Sequence, residues 1–130
     1  MVQEGQAVQK ILEKDHINAT LVNCRFIKPL DKNLLFDLAQ HIPNIITLEE
    51  NTLPGGFGSA VLELLADHQI FPHRFHRIGL PDHFIEHGSA TILREKYGLN
   101  ADAIARVARN IVHPQHPADV LDAVRVSGLP

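Results

Sequence analysis

Asn44-Ile45-Ile46-Thr47-Leu48-Glu49-Glu50-Asn51-Thr52-Leu53-Pro54-Gly55-Gly56-Phe57-Gly58-Ser59-Ala60 (NIITLEENTLPGGFGSA) takes the chain from one kind of structure into another. Its opening, Asn44 to Glu49, is short, apolar and β-branched, as a buried strand is. Beyond the glycines, Val61, Leu62, Leu64 and Leu65 fall at helical spacing. A glycine-rich turn between strand and helix often offers its backbone amides to a phosphate. Here the details argue against that use. The dinucleotide fingerprint needs a third glycine where Val61 stands, and a Walker loop needs a lysine that is missing from this stretch. Glu49 and Glu50 stand just before the turn, where their charges would oppose an anion at the helix N-terminus. Gly55, Gly56 and Gly58 are therefore read as serving the backbone's own geometry.

Working outward, Val8, Ile11 and Leu12 form an apolar helical stripe near the start, and Ala19 to Cys24 (ATLVNC) reads as a buried strand. Asp31 is a good N-cap for a helix carrying Leu34, Leu35, Leu38 and Ala39, with Leu30 and Leu35 placed to form a hydrophobic staple. A third, weaker strand is expected over Arg74 to Ile78, ending in the turn chemistry of Gly79-Leu80-Pro81-Asp82. Ser89 caps a short helix that stops at Gly98. Asn100 caps a last helix with Ile104, Val107, Ala108 and Ile111 on one face. This order predicts a three-layer α/β/α sandwich with a mainly parallel sheet. Because the pattern opens on a helix, a strand ahead of Met1 is expected to complete the first β-α unit. Residues 113–130 are expected to form a tail, either a short helix over Pro117 to Arg125 or disordered chain.

At 130 residues, one domain is expected, and 45% apolar against 21% charged residues is the balance of an ordinary folded domain. A net charge of −3 leaves no basic footprint for nucleic acid. No apolar run is long enough to span a bilayer, and the polar start does not read as a signal peptide, so a cytoplasmic protein without membrane contact is expected. The single Cys24 has no partner for an intrachain disulfide and reads as a small core residue. Nine histidines include His73-x-x-His76, His83-x-x-x-His87 and His113-x-x-His116, but they lack cysteine partners and the HExxH arrangement, so no metal site is expected. No nucleophile elbow is present, and Glu49 and Glu50 alternate faces if the strand continues, so they do not converge on one substrate.

Taken together, Arg25-Phe26-Ile27-Lys28-Pro29-Leu30-Asp31, Thr47-Leu48-Glu49-Glu50-Asn51, Gly55-Gly56-Phe57-Gly58-Ser59, Ile78-Gly79-Leu80-Pro81-Asp82, Phe84-Ile85-Glu86-His87-Gly88-Ser89 and Tyr97-Gly98-Leu99-Asn100 occur in an order that resembles the C-terminal domain of the transketolase family. The combination IGLPDHFIEHGS favours the 1-deoxy-D-xylulose 5-phosphate synthase branch. The second reading is the C-terminal domain of a 2-oxo-acid dehydrogenase beta subunit, and the third a stand-alone binding module. The resemblance covers residues 1–112. It implies a parent that uses thiamine diphosphate and Mg²⁺ to condense pyruvate with glyceraldehyde 3-phosphate, in isoprenoid precursor synthesis. It also implies that the cofactor lies between two other domains. One supplies a Gly-Asp-Gly stretch and the other a glutamate, and neither element is in this chain. No catalytic, cofactor or metal residue is therefore expected here, and the chain alone is expected to be inactive. Glu49, Glu50, Asn51, Gly55, Gly56, Gly58 and His87 are the candidates for a contact with the remaining domains or a second subunit, with a homodimer among the outcomes. Bracing of the local loop is the alternative role for the same residues.

Overall fold

In the computed structural model, which describes residues 1–114, the β-branched run becomes strand β1 (Asn44–Thr52). It pairs in parallel with β2 (Arg74–Leu80), Asn44 opposite Arg74 and Leu48 opposite Ile78. The register then breaks, because Thr52 pairs with Leu80. Four steps on β1 from Leu48 thus match two on β2 from Ile78, so β1 bulges through Glu49, Glu50 and Asn51.

Among the described residues, five helices accompany the pair. Helix α1 (Val2–Lys14) buries Val8 and Leu12, and α5 (Ala101–Val112) buries Ile104, Ala105, Ala108 and Ile111. Ile78, Leu99 and these two helices form one core, against which Ile46 and Leu48 pack. On the other face, α2 (Lys32–His41) and α3 (Phe57–Asp67) supply Ala39, Val61 and Leu65 to a second core, against which Ile45 and Phe75 pack. Alternate residues of both strands thus feed opposite layers, as the pleat requires, and the three-layer α/β/α arrangement with a parallel sheet follows. The remaining helix, α4 (Ala90–Lys96), buries no side chain.

Helix starts follow local chemistry. Oδ1 of Asp31 accepts the Leu34 amide at 3.1 Å, Oγ of Ser89 that of Ile92 at 3.3 Å, and Oδ1 of Asn100 that of Ala103 at 2.9 Å. Leu30 and Leu35 both pack on the α2/α3 core, and Leu99 and Ile104 are both only 1% exposed. Gly98, at φ 68°, turns the chain out of α4 in the left-handed region.

Two expectations change. Ala19 to Cys24 is extended but is not a strand, and the sheet of the described residues has two strands, not three. Its composition suits a strand, but strand identity depends on a hydrogen-bonded neighbour. Among the described residues, Asn18 to Cys24 make no backbone–backbone hydrogen bond. Leu34 and Leu62, assigned to apolar stripes, are 38% and 42% exposed, because α2 and α3 turn Ala39, Val61 and Leu65 inward instead. The helix expected over Pro117 to Arg125 lies outside the described residues.

Candidate functional site at the carboxyl end of the sheet

The glycine turn leaves β1 at its carboxyl end, and the bulge folds Glu49 back beneath it. The Glu49 side chain is 6% exposed. Its Oε2 accepts the Phe57 amide at 2.7 Å and its Oε1 accepts the Gly58 amide at 2.9 Å. These are the first amides of α3, the groups that a phosphate would use at such a turn. An internal carboxylate holds them. The glycines make room for it. A Cβ on Gly56 would overlap the Glu49 carboxylate and the Thr52 carbonyl. One on Gly58 would lie 2.5 Å from Thr47 Oγ1, and one on Gly79 would lie 2.8 Å from Glu49 Cγ. Gly55 differs: nothing crowds it, but its φ of 71° is one that side chains rarely adopt.

A second lock closes the turn from β2. Arg77 donates through Nη1 to the Leu53 carbonyl at 3.1 Å and to Ser59 Oγ at 2.7 Å. Ser59 Oγ in turn donates to the Leu53 carbonyl at 2.7 Å. Arg77 had no signal in the local sequence pattern, because it acts across the sheet on Leu53 and Ser59, and Gly79 reads in the sequence as turn chemistry and not as room for Glu49. Thr47 Oγ1 is buried beside Gly58 without a hydrogen-bond partner among the described residues.

Glu50 faces the opposite way and is exposed. Its Oε1 accepts from Arg94 Nε at 2.6 Å, while Arg94 Nη1 lies 3.9 Å from Glu4 Oε1. One guanidinium thus links α4, β1 and α1. The hydrogen bond from Arg94 holds the Glu50 carboxyl below its ordinary range, and the charge of Arg94 acts in the same direction. Asn51 and His87 are exposed and distant in role from this lock. Beyond β2 the same end carries Phe84 and Ile92, 84% and 64% exposed.

Burial, and then the charge of Asp31, raises the Cys24 thiol above its ordinary value, which keeps it protonated and a weak nucleophile at neutral pH. Cys24 is half-buried along a cavity of about 460 Å³ between Thr20–Cys24 and Asn44–Glu50. Among the described residues no three His, Cys, Asp or Glu side chains converge on one metal position. His83 stands against Tyr97 with ring centroids 5.9 Å apart. His76 on β2 is lowered from its ordinary value by burial and then by Arg77.

The parallel strand pair between two helical layers, with its turn closed on its own carboxylate, defines a three-layer α/β/α domain. The family described as "Transketolase, C-terminal domain" matches residues 1–104. The chain belongs to that family. It is 47% identical over 111 residues to 1-deoxy-D-xylulose-5-phosphate synthase of Heliobacterium modesticaldum, covering 85% of this chain and 17% of the relative. It is 46% identical over 110 residues to the enzyme of the same name from Desulforudis audaxviator, with the same two coverages of 85% and 17%. The chain therefore spans about a sixth of these relatives, and its likeness is to their C-terminal domain. Among solved structures it is similar to "Split gene transketolase, inactive beta4 tetramer" at a TM-score of 0.73 and 30% identity, covering 98% of this chain and 37% of the other. The residues present do not fit the diphosphate of a thiamine cofactor, since the amides that would hold it are engaged by Glu49.

Proposed function

We propose that the chain serves as the C-terminal domain of a 1-deoxy-D-xylulose 5-phosphate synthase, a cytoplasmic transferase supplying isoprenoid precursors. Its identity to such synthases over 85% of its length is the observation that carries this reading. In the parent, thiamine diphosphate and Mg²⁺ are held by the other domains, and pyruvate and glyceraldehyde 3-phosphate react there. The role of this domain is to pack against them or against a second subunit in a dimer. Glu50, Asn51, Gly55 and His87 are exposed at or near the carboxyl end of the sheet, together with Phe84 and Ile92. Exposed apolar side chains rimmed by polar ones suit such a contact. Glu49, Gly56 and Gly58 hold the turn in shape for it. The neighbour titled a split-gene transketolase, of which this chain covers 37%, supports a domain of this kind working within a longer chain that assembles with others.

The test has two parts. Incubated with thiamine diphosphate, Mg²⁺ and both substrates, the isolated chain yields no product. A Heliobacterium modesticaldum synthase whose matching region is replaced by residues 1–112 of this chain turns over both substrates. Turnover by the isolated chain, or a folded chimera without activity, overturns the reading.

A further inference from the structure

Side chains two residues apart on a strand share a face. Thr47 and Glu49 accordingly both reach from β1 to the first turn of α3, and both arrive at Gly58. The Gly58 amide donates to Glu49 Oε1 at 2.9 Å, and a Cβ on Gly58 would lie 2.5 Å from Thr47 Oγ1. The two side chains fare differently there. Glu49 accepts the amides of Phe57 and Gly58. Thr47, only 5% exposed, buries a hydroxyl that has no hydrogen-bond partner among the described residues. A hydroxyl can donate as well as accept, and leaving it unpaired in a protein interior is destabilising. An ionised carboxylate still has acceptor capacity after taking two amides. Its tether to β1 decides where the Glu49 carboxylate sits, and from there it makes no hydrogen bond with Thr47.

The space around the carboxylate is shaped by side chains that glycine lacks. A Cβ on Gly56 would overlap Glu49 Oε2, and one on Gly79 would lie 2.8 Å from Glu49 Cγ. Arg77, opposite Thr47 in the register, closes another side, its Cγ and Cδ 2.9 and 3.0 Å from the Cβ position of Gly58. Its guanidinium is held by the Leu53 carbonyl and Ser59 Oγ, which fixes a positive charge at the same turn. Two amides at a helix N-terminus, a buried hydroxyl without a partner and a fixed cation make the donor set of a small-anion site.

We propose that the first turn of α3 is a receptor for a small carboxylate, filled in the native chain by Glu49 and opened to a free one by Glu49→Ala. The amides of Phe57 and Gly58 bind either occupant. The Thr47 hydroxyl donates to the free anion alone, because an anion without a tether can settle within its reach. Truncating Glu49 at Cβ removes the heavy atoms of one acetate ion, so acetate fits the space released and a bulkier carboxylate does not. In the native chain Glu49 competes as an intramolecular ligand, and added acetate does not displace it. The turn thus has a ligand chemistry of its own, apart from any role of the domain in a larger assembly.

The experiment measures urea denaturation midpoints at pH 7 in sodium acetate, sodium pivalate and sodium chloride of equal ionic strength. The native chain reports the bulk effect of each salt, and every variant is read relative to it. Glu49→Ala lowers the midpoint, and acetate restores part of the loss along a saturating curve, whereas pivalate and chloride do not. Acetate also moves the Phe57 and Gly58 amide signals of this variant in NMR spectra. Thr47→Val leaves the midpoint of the native background unchanged or raised, since its hydroxyl has no partner to lose. Added to Glu49→Ala, it weakens the apparent affinity for acetate by about tenfold. An acetate effect no larger than that on the native chain, or one matched by pivalate, overturns the proposal. So does a Thr47→Val change that lowers the native midpoint or leaves the affinity for acetate intact. If Glu49→Ala does not fold in chloride, its refolding yield is followed against acetate concentration. Recovery specific to acetate supports the receptor, and no recovery overturns it. None of these readouts uses turnover, so failure here is distinguishable from failure of the chimera.

Discussion

The Glu49 carboxylate stands where a bound anion would stand, and this changes what each nearby glycine is for. Phe57 and Gly58 give it two charge-assisted hydrogen bonds at 2.7 and 2.9 Å, at the positive end of α3. Glu49→Gln keeps the shape but turns an amide NH₂ toward one of those donors. We expect it to lower stability by about 1–3 kcal/mol in urea denaturation. The glycines separate by mechanism in the same assay. Gly55→Ala adds only the strain of a side chain in the left-handed region, about 1 kcal/mol. Gly56→Ala drives a methyl group into a buried carboxylate and a carbonyl, which places its cost at about 3 kcal/mol or more. Equal effects at the two positions would contradict this division. The sequence carried part of this picture: two glutamates before the turn argue against phosphate, and local bracing was one of two roles open to them. It did not carry the bulge, because the bulge depends on Gly79 letting Glu49 Cγ pass close by, a contact between strands that no local pattern encodes.

Elements were legible where their signals are local. Asp31, Ser89 and Asn100 cap their helices through their own neighbours, so α2, α4 and α5 start where the sequence places them. Ala19 to Cys24 failed for the opposite reason. Its apolar, β-branched composition describes half of a pairing, and the other half is missing from the described residues. Helix α4 shows a further limit, since nothing in its sequence tells that it is held without a buried side chain. An ion pair from Arg94 to Glu50 at 2.6 Å ties it to β1. Because Glu50 is depressed below 4.5, the folded state holds the carboxylate ionised more strongly than the unfolded chain does. The resulting stabilisation is present above the unfolded value and is lost as pH falls through the folded one. We expect α4 amides to exchange faster, relative to those of α5, as pH drops below about 4.5. Arg94→Ala should produce the same loosening at neutral pH. An exposed pair of this kind contributes little to global stability, so the midpoint of urea denaturation should hardly move. A global loss matching the local one would mean that α4 is part of the cooperative core.

At the scale of the whole molecule, the two cores meet across two strands among the described residues, so the central layer depends on what is buried beside it. His76 is one such group. It lies on β2 between Arg74, which donates to the Ile111 carbonyl of α5 at 2.6 Å, and Ile78, which is 8% exposed in the α1/α5 core. Alternation along the strand puts all three on that face. Burial lowers the affinity of His76 for a proton below the ordinary value of 6.5, and the charge of Arg77 lowers it further. As pH falls past 6.5, the unfolded chain therefore takes up a proton at this position before the folded chain does. Stability must decline from that point until the folded value is reached, and become independent of this group below it. His76→Gln removes the titration while keeping a polar side chain of similar reach. In urea denaturation between pH 7 and about 5, we expect the native chain to lose stability with acidity and the variant to lose distinctly less. Parallel declines in the two proteins would place the sensitive group elsewhere. They would also show that the α5 face of β2 admits a charged imidazole, which the burial of Ile78 on that face and of Ile104 and Ile111 on α5 argues against.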